Sequence, residues 1–402
     1  MKPIKILQFT NKPAYPQIDG GCLGMAKMSD FYDTDLNYSI DIITIETAKH
    51  PYDKIEFEKK LSESTNVKSV FINSKPTVLG VISNFFGKKS YNLSRFYTKE
   101  VEEVIVNLLD KNQYDIIQFE NIFVGQYYQI IRKNSNAKLV LNSANVEFEI
   151  WERLAKKASF LKKIYLKKLA KQLKAEEIII WNNMDGIIAA TDKDKTQIIQ
   201  NTNNKIPSIT IPFYLNLNNY KSSYDKLSNE ISFFHIGAMD WLPNIEGVKW
   251  LINNLWNTNF NNTIHSLNLA GKSMPDSIIQ LKSNSINIEG FVEDAKQFIS
   301  DNDVMLVPLF SGSGIRVKIV EAMALGKCII STKVGAEGIN YEDGINILLA
   351  NNEIEFVQKM SFLIENPSKI NEIGKNARLL VEKEHNVSLM ENKLKHLFDS
   401  IK

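Results

Sequence analysis

Short apolar runs rich in β-branched residues alternate with longer segments of helical periodicity along the whole chain. This alternation predicts parallel strands joined by crossover helices, so the predicted fold class is α/β. Six strands are predicted in the first half and six in the second, at residues 4–9, 40–45, 67–73, 115–120, 138–143, 186–191, 232–237, 266–271, 286–291, 304–309, 328–332 and 345–350.

The two halves are separated by residues 211–230, a stretch whose Pro, Asn and Ser content is typical of a linker. We predict an N-terminal domain at residues 1–212, a second domain at 213–385, and a C-terminal helix at 386–402 that packs back toward the first domain. Ligands of doubly wound sheets bind beyond the carboxyl ends of the strands, so the loops after the strands should carry the chemistry.

Composition narrows the class of protein. The 48 Lys and Arg residues exceed the 46 Asp and Glu residues by only +2, which argues against a dedicated nucleic-acid binder. The two cysteines are far apart in the chain and are predicted to be reduced. No signal-peptide core or membrane-spanning apolar run is recognised, so we expect a cytoplasmic protein that could attach only to a membrane surface.

The stretch VMLVPLFSGSGIRVKIVEAMALGKCIIST has the pattern of a strand, a glycine loop, a helix and a second strand. The first turn of this helix carries Arg316 and Lys318 but no acid, although the helix dipole disfavours cations there by roughly 0.3 to 1 kcal/mol each. Gly312 and Gly314 leave backbone N–H groups uncovered just before it. An anion such as a phosphate would account for both features, and Glu321 could reach the same mouth to bind a ribose.

Less specific interpretations of these residues were weighed. Lys318 and Glu321 could form an ion pair on an exposed helix. No GKS or GKT follows the glycines, which argues against a Walker-type loop. GGCLG at 20–24 lies too far from the first strand for a dinucleotide turn, and we predict a long, open loop there. His235 is interpreted as a packed strand residue. DxD triplets at 33–35, 192–194 and 301–303 are typical of caps and turns, so no metal site is predicted.

The segments FFHIGAMDWLPNIEGVKWL, GFVEDAKQFISDNDVMLVPLFSGSGIRVKIVEAMALGKCIISTKVGAEGI and DGINILLA resemble the nucleotide-sugar domain of the family-4 retaining glycosyltransferases. A weaker likeness continues in the first half, in YPQIDGG, YDIIQFE and NSANVEFEIWERLA. The resemblance implies the GT-B fold, in which two Rossmann-like doubly wound domains face each other across a cleft. It also implies a nucleotide diphosphate-sugar as donor substrate, with no additional cofactor.

The resemblance also implies roles for single residues. Arg316 and Lys318 match the subgroup pattern GSGxRxKxxEA and would bind the diphosphate, and Glu321 would bind the donor ribose; these are the three predicted catalytic residues. The Arg and Lys that the family usually carries after the first strand of this domain are absent, and Ala238 and MDWLPN stand there instead. The other predicted donor-binding residues are Gly20, Gly21, Gly237, Val292, Ser313, Gly314 and Ile315.

Two positions depart from the family pattern. Ser313 stands where the first motif glutamate is expected, and Ala144 stands where a first-domain histidine is expected. Neither residue can supply the acid/base or sugar-orienting group of the family. Stabilisation of the diphosphate by Arg316 and Lys318 would then be the dominant contribution of the protein to sugar transfer.

Polar residues at the carboxyl ends of two first-domain strands are candidates for contacts with the acceptor. Asn145 and Glu147 follow the strand at 138–143, and Glu120 ends the strand at 115–120. The alternative for Glu147 is purely structural, because an acid at a helix N-terminus is favoured by the helix dipole.

The stretch from Arg153 to Lys174 contains nine cations and no acid. Apolar residues recur in it at helical spacing, namely Leu154, Ala158, Leu161, Tyr165, Leu169 and Leu173. One interpretation is an ordinary helix whose apolar stripe faces the core and whose solvated face is basic. The other is a surface that binds anionic lipid or a lipid-diphosphate acceptor.

Together these features predict a retaining, metal-independent glycosyltransferase that transfers a sugar to a hydroxyl of a surface glycan or lipid-linked saccharide. Three alternatives stay open: a nucleotide-sugar epimerase on the same fold, a catalytically silent nucleotide-sugar-binding subunit, and a nucleic-acid or membrane adaptor built on the lysine-rich helix.

Overall fold

The computed structural model describes residues 2–77, 80, 84, 87, 89–222, 229–312 and 314–402. The chain divides into two compact units. Unit 1 comprises Met1–Ile211 together with Asn392–Lys402, and unit 2 comprises Pro212–Glu391.

The described part of unit 1 is built on a parallel sheet of seven strands in the order β3-β2-β1-β4-β5-β6-β7. The strands are β1 (Ile4–Thr10), β2 (Tyr38–Glu46), β3 (Asn66–Phe71), β4 (Ile116–Phe119), β5 (Lys138–Ser143), β6 (Gly186–Ala189) and β7 (Ser208–Thr210). Every residue of β4 and β6 is buried, as expected for strands covered on both faces. The sequence pattern missed β7, because three residues are too few to show a periodicity.

The described helices of unit 1 connect these strands as crossovers. They are α1 (Gly20–Thr34), α2 (Lys54–Lys60), α3 (Tyr91–Ser94), α4 (Lys99–Lys111), α5 (Ile122–Gly125), α6 (Tyr128–Asn134), α7 (Glu147–Lys157), α8 (Phe160–Trp181) and α9 (Asp192–Asn201). Several begin at a residue whose side chain accepts a backbone N–H, as Asp19 does for α1 and Thr98 for α4.

The described part of unit 2 contains a parallel sheet of six strands in the order β10-β9-β8-β11-β12-β13. The strands are β8 (Ser232–Ile236), β9 (Ser266–Ala270), β10 (Ile286–Gly290), β11 (Val304–Val307), β12 (Cys328–Ser331) and β13 (Leu348–Leu349). In this order the direction of winding reverses between β8 and β11. Ligands of doubly wound sheets bind at the carboxyl ends of the strands at such a switch point.

The described helical segments of unit 2 connect or follow its strands, and the last of them begins in this unit. They are the 3₁₀ turn Leu217–Asn219, α10 (Leu242–Trp250) with its π-helical continuation Leu251–Trp256, α11 (Asn257–Asn259), α12 (Asp276–Ile279), α13 (Ala295–Ser300), α14 (Val317–Ala324), α15 (Glu353–Glu365), α16 (Ser368–Glu384) and α17 (Val387–Ile401). From Asn392 onward, α17 belongs to unit 1, where the rings of Phe398 and Tyr38 lie 6.2 Å apart.

Each unit has its own hydrophobic core. In unit 1 the buried side chains of Phe9, Phe119 and Trp181 belong to one cluster that includes residues of the sheet and of α4 to α9. In unit 2 one cluster contains Trp256, and another contains Phe234 and the apolar face of α14. The packing of α14 against its sheet fixes the position of the residues at its N-terminus.

The structure corrects the interpretation of residues 211–230 as a linker. Leu215 is fully buried in unit 2, and its backbone exchanges hydrogen bonds with His385 and Val387. Tyr220 is also buried. Residues Leu217–Asn219 form a 3₁₀ segment, and the side chain of Asn216 accepts the N–H of Asn218 at its start. Residues 223–228 of the predicted linker lie outside the described residues.

Among the described residues, every helix is too short or too polar to span a lipid bilayer.

Candidate functional site

The loop that joins β11 to α14 contains the glycines that the sequence analysis singled out. Gly312 and Gly314 have φ angles of 117° and 82°, a region that favours glycine because it has no Cβ. Arg316 is the extended residue before the helix, and the first turn of α14 contains no acid. The predicted residue Ser313 lies outside the described residues. The helix therefore begins with a cation next to backbone N–H groups.

The Arg316 side chain is held against this loop. Its Nη1 donates to the Gly314 carbonyl oxygen at 2.8 Å, and its guanidinium lies 5.3 Å from the ring centroid of Trp241. A Cβ at Gly312 would come within 2.7 Å of Arg316 Nη2 and 2.9 Å of the Trp241 ring. Glycine at position 312 therefore leaves room for the stacked cation.

The Lys318 ammonium group is held by neutral partners. Its Nζ donates to Asn244 Oδ1 at 3.0 Å and lies 3.1 Å from Nε2 of His235. Nδ1 of His235 lies 2.7 Å from the carbonyl oxygen of Leu306, so the neutral ring donates from Nδ1 and accepts from Lys318 at Nε2. Within the described part of the chain, Lys318 pairs with no carboxylate.

Burial sets the charge state of both groups. It lowers the pKa of Lys318 to about 7, and the neighbouring Arg316 charge acts in the same direction. Burial, followed by the charge of Lys318, holds the pKa of His235 well below its usual range. The lysine thus lacks the counterion that would restore its usual pKa.

Gly237 leaves room for the approach of this lysine. A Cβ at position 237 would lie 2.7 Å from Asn244 Nδ2 and 2.9 Å from Lys318 Nζ. Asn244 also donates to the carbonyl oxygen of Ala238, which closes the loop after β8. The MDWLPN stretch therefore supplies two residues, Trp241 and Asn244, that position the cations of α14.

Glu321 is held on a different partner. The hydroxyl of Tyr220 donates to Glu321 Oε1 at 2.8 Å, and Lys296 Nζ lies 4.4 Å from the Tyr220 ring centroid. Burial and the neighbouring Glu321 charge raise the pKa of Tyr220, so its hydroxyl stays protonated as the donor. The alternative of a Lys318–Glu321 ion pair is not formed, because Lys318 contacts His235 and Asn244.

Two further predicted donor-binding residues border this region. Val292 is partly buried against the core cluster that includes α14. Ile315 is in contact with the segment after β12, since a Cβ at Gly338 would lie 3.4 Å from its Cα.

Gly20 and Gly21 lie in the first turn of α1, which corrects the expectation that they form an open loop. The turn is capped by Asp19, whose Oδ1 accepts the N–H of Cys22 at 2.9 Å. A Cβ at Gly20 would meet nothing within 4 Å, whereas one at Gly21 would lie 2.9 Å from Lys12 Nζ. Their contact with the donor stays a prediction.

Asp19, Cys22 and His50 could hold a metal ion, because their ligand atoms lie within 4.8 Å of one another. However, Lys12 Nζ lies 2.7 Å from each carboxylate oxygen of Asp19. Burial raises the pKa of the Cys22 thiol to about 11. The Lys12 ammonium group already neutralises the carboxylate that would bind the metal ion. We therefore assign no metal ion to these three residues.

On the predicted acceptor side, Glu147 is the first residue of α7. The backbone N–H groups of Glu147 and Phe148 both donate to the carboxylate of Glu177 on α8, each at 3.1 Å. Burial raises the pKa of Glu147 to about 7, and burial together with the nearby Glu147 raises the pKa of Glu177 to about 8. Glu147 is therefore a carboxyl group that can donate or accept a proton near neutral pH.

The other two predicted acceptor residues are placed differently. The carbonyl oxygen of Asn145 accepts the Ser143 hydroxyl at 3.0 Å, just beyond β5. Glu120 is only 3 % exposed, and its carboxylate accepts amide N–H groups from Gln8, Gln118 and Asn142 at 2.7 to 2.8 Å. The expectation that Glu120 contacts the acceptor is therefore corrected, because its buried carboxylate links β1, β4 and β5 by hydrogen bonds.

Several residues of these arrangements were missed from the sequence. His235 was interpreted only as a packed residue, and Trp241, Asn244 and Tyr220 were not singled out. The one available signal was the loss of the usual cations after β8, which marks MDWLPN as a replacement. Glu177 gave the weaker signal of an acid within the apolar end of α8.

Residues 230–366 match a protein family described as Glycosyl transferases group 1. This segment includes Lys318 together with His235 and Asn244. A curated relative, the "Uncharacterized 44.6 kDa protein in cps region" of Klebsiella pneumoniae, is 25% identical over 173 residues. That alignment covers 40% of this chain, and the chain spans 45% of the length of the Klebsiella protein.

Solved structures share the fold over nearly the whole chain. Alr3699/HepE from Anabaena, solved in complex with UDP, has a TM-score of 0.70 at 16% identity, covering 99% of this chain and 100% of that chain. Sucrose-phosphate synthase from Thermosynechococcus elongatus also has a TM-score of 0.70 at 16% identity, covering 99% of each chain. With the two parallel sheets, these matches confirm the predicted α/β fold of the GT-B type.

Proposed function

We propose that this chain, whose residues 230–366 match the glycosyl transferases group 1 family, is a retaining glycosyltransferase. It moves a sugar from a nucleotide diphosphate-sugar to a hydroxyl of a glycan or lipid-linked saccharide. The residues that bind and stabilise the donor are those at the start of α14 and those that hold its cations.

The observation that carries this proposal is the state of Lys318. Its amine is partly buried beside Arg316 and is hydrogen-bonded only to neutral groups, Asn244 and His235, among the described residues. Two neighbouring cations cost free energy unless an anion joins them. A diphosphate at the helix N-terminus supplies that anion and also accepts backbone N–H groups.

The remaining residues of the region suit a nucleotide donor. Glu321 lies on the same helix, one turn beyond Lys318, and Tyr220 fixes its carboxylate. We assign this carboxylate to the ribose hydroxyls, and Gly237, Val292, Gly314 and Ile315 to the walls around the nucleotide. The Anabaena protein with the same fold has been solved with UDP-glucose, which supports a uridine diphosphate-sugar as the first donor to test.

The proposed sugar transfer makes use of this placement of Arg316 and Lys318. The bond between the sugar C1 and the diphosphate oxygen breaks while C1 bonds to the acceptor oxygen on the same face. The acceptor hydroxyl proton passes to the departing diphosphate. Arg316 and Lys318 stabilise the negative charge that develops on that leaving group, which is why no metal ion is invoked.

Glu147 and Asn145 are assigned to the acceptor side. Ala144 lies directly beyond β5, and Glu147 follows it at the start of α7, with a pKa raised to about 7. A carboxyl group in this state can donate to or accept from a sugar hydroxyl. The location of the Klebsiella relative in a cps region supports a glycan acceptor in polysaccharide synthesis.

The activity is tested by incubating the protein with UDP-glucose, UDP-galactose or GDP-mannose and a panel of glycan and lipid-linked acceptors. We expect one donor to raise the melting temperature strongly and to yield a glycoside with retained anomeric configuration, detected by mass spectrometry and NMR. The Arg316→Gln variant should lose both effects.

The same products separate the alternative functions. Conversion of the donor sugar to its epimer without an acceptor would identify the protein as an epimerase. Strong donor stabilisation without transfer to any acceptor would assign a silent binding subunit. Absence of any nucleotide-sugar stabilisation would overturn the proposed donor site.

A second prediction concerns Tyr220, which acts through Glu321. Tyr220→Phe removes the hydroxyl that fixes the Glu321 carboxylate but keeps the buried ring. We expect the Kd for UDP to rise about three- to tenfold, because the loss of one hydrogen bond costs roughly 0.5 to 1.5 kcal/mol. Isothermal titration calorimetry measures this change.

The matched control for Tyr220→Phe is a comparison of ribose with 2′,3′-dideoxyribose nucleotides. If Tyr220 orients the group that binds ribose, the variant and the wild type should bind the dideoxy nucleotide equally. An equal loss of affinity for both nucleotides would contradict the role of Tyr220 in positioning Glu321.

A further inference from the structure

The segment from Arg153 to Lys174 in unit 1 concentrates positive charge. It spans the end of α7 and most of α8 and contains nine cations and no acid. Four of its lysines are exposed, none of which forms an ion pair with a described acid: Lys156, Lys162, Lys167 and Lys171. This part of the surface is therefore strongly basic, in a chain whose net charge is only +2.

The structure shows that the apolar residues of this segment divide into two groups. Buried positions of α8 that face the core include Leu166, Leu169 and Leu173. Phe160 is 76% exposed, and Leu154 and Ile164 are 48% and 46% exposed. The predicted apolar stripe therefore faces the core only in part. The prediction is wrong for Leu154, whose side chain is exposed.

Four of the exposed groups share one side of α8, whereas Lys162, two residues after Phe160, lies on the opposite side. Phe160, Ile164, Lys167 and Lys171 follow one another at spacings of four, three and four residues, which places them in one row along the helix. The row is apolar where α8 begins and basic further along. Helices α7 and α8 pack on each other, so the row is carried on a rigid pair of helices.

We propose that this row of α8, the basic face, docks on a lipid bilayer that contains anionic phospholipids. Lys167 and Lys171 complement the lipid phosphates, and the exposed Phe160 and Ile164 enter the boundary between headgroups and acyl chains. Nucleic acid is the less favoured partner, because phosphate contacts alone leave no use for two exposed apolar side chains. The surface would bring the enzyme to lipid-linked acceptors.

The test is co-sedimentation with vesicles of phosphatidylcholine containing phosphatidylglycerol, compared with pure phosphatidylcholine. We expect binding only to the anionic vesicles, and weaker binding as salt is raised. Replacing Lys167 and Lys171 by Gln should lower the partition coefficient about 25-fold, since each lysine near the surface is worth about fivefold. Phe160→Ser should remove the binding that persists in high salt.

The matched control removes two exposed lysines elsewhere in unit 1, namely Lys111 and Lys133, again to Gln. This variant has the same net charge as the first and should bind vesicles almost like the wild type. Melting curves verify that both variants are folded. Because vesicle binding needs neither donor nor acceptor, its outcome is independent of the proposed sugar transfer.

Three results would overturn the docking surface. The two double-lysine variants could lose binding equally, which would leave only a net-charge effect. The wild type could bind neutral and anionic vesicles alike. It could also bind a duplex oligonucleotide while ignoring vesicles, which would assign the lysines to nucleic acid.

Discussion

We expect Lys318→Met to weaken the binding of UDP-glucose by about 10- to 100-fold, and Arg316→Gln to have an effect of similar size. Charge-assisted hydrogen bonds are worth roughly 1.5 to 3 kcal/mol, and tenfold in affinity corresponds to about 1.4 kcal/mol. Methionine keeps the length and apolar stem of Lys318 but removes its donors and charge. Titration calorimetry with the purified chain measures both dissociation constants.

Free Lys318→Met protein should also be as stable as the wild type or more so. The variant removes a partly buried cation that is bound only to neutral groups and repelled by Arg316. A loss of donor binding together with an unchanged or raised melting temperature would therefore separate a binding role from a folding role.

The matched control is Lys282→Met, the same substitution at an exposed lysine of unit 2. It should leave the dissociation constant within about twofold of the wild type, because exposed charges contribute little. If Lys318→Met and Lys282→Met bound UDP-glucose equally well, the diphosphate would not lie on Lys318.

The sheets were predictable from the sequence because parallel strands buried on both faces appear as short apolar runs. All twelve predicted strands are present, from Ile4–Thr10 to Leu348–Leu349, with boundaries that differ by a few residues. Boundaries shift because hydrogen bonding ends before apolar character does, as at Leu309, which is buried but lies beyond β11.

The start of α14 was predictable for a local reason. Gly312, Gly314, Arg316 and Lys318 lie within seven residues, so their spacing alone shows two cations at a helix N-terminus. The structure adds what those cations contact. Arg316 stacks on Trp241, a contact that the sequence pattern of strand, turn and helix does not reveal.

The contacts that were missed are long-range. Tyr220 reaches Glu321 across 101 positions of the chain, and His235 reaches Lys318 across 83. Hydrophobic periodicity carries no information about which polar side chains meet at that separation. Glu120 shows the opposite error, because a carboxylate at a strand end looked accessible whereas amides of Gln8, Gln118 and Asn142 surround it.

The second large effect is a dependence of donor affinity on pH. Burial lowers the pKa of Lys318 to about 7 in the free protein, and a bound diphosphate would raise it by direct Coulomb attraction. Below about pH 7 the amine is already charged, so binding is insensitive to pH. Above it, each binding event must take up a proton, and the affinity falls by up to about tenfold per pH unit.

UDP-glucose is the suitable ligand because its diphosphate is a diester whose charge is constant over this range, unlike that of UDP. Titrations between about pH 6 and pH 8.5 should show affinity that is flat at first and then declines. Calorimetry at about pH 8 in two buffers of different ionisation enthalpy should show the uptake of nearly one proton. Burial and the charge of Lys318 hold the pKa of His235 well below its usual range, so its ring is neutral where Lys318 titrates.

Lys318→Arg is the control that isolates the lysine, since a guanidinium stays protonated throughout. Its affinity for UDP-glucose should be independent of pH and should involve no proton uptake, even if the longer fork weakens binding overall. Arg316 is charged in both proteins and cancels in the comparison. If the affinity of Lys318→Arg declined above about pH 7 as that of the wild type does, the proton would be taken up by another group. Lys318 would then not be the residue whose pKa the bound diphosphate raises.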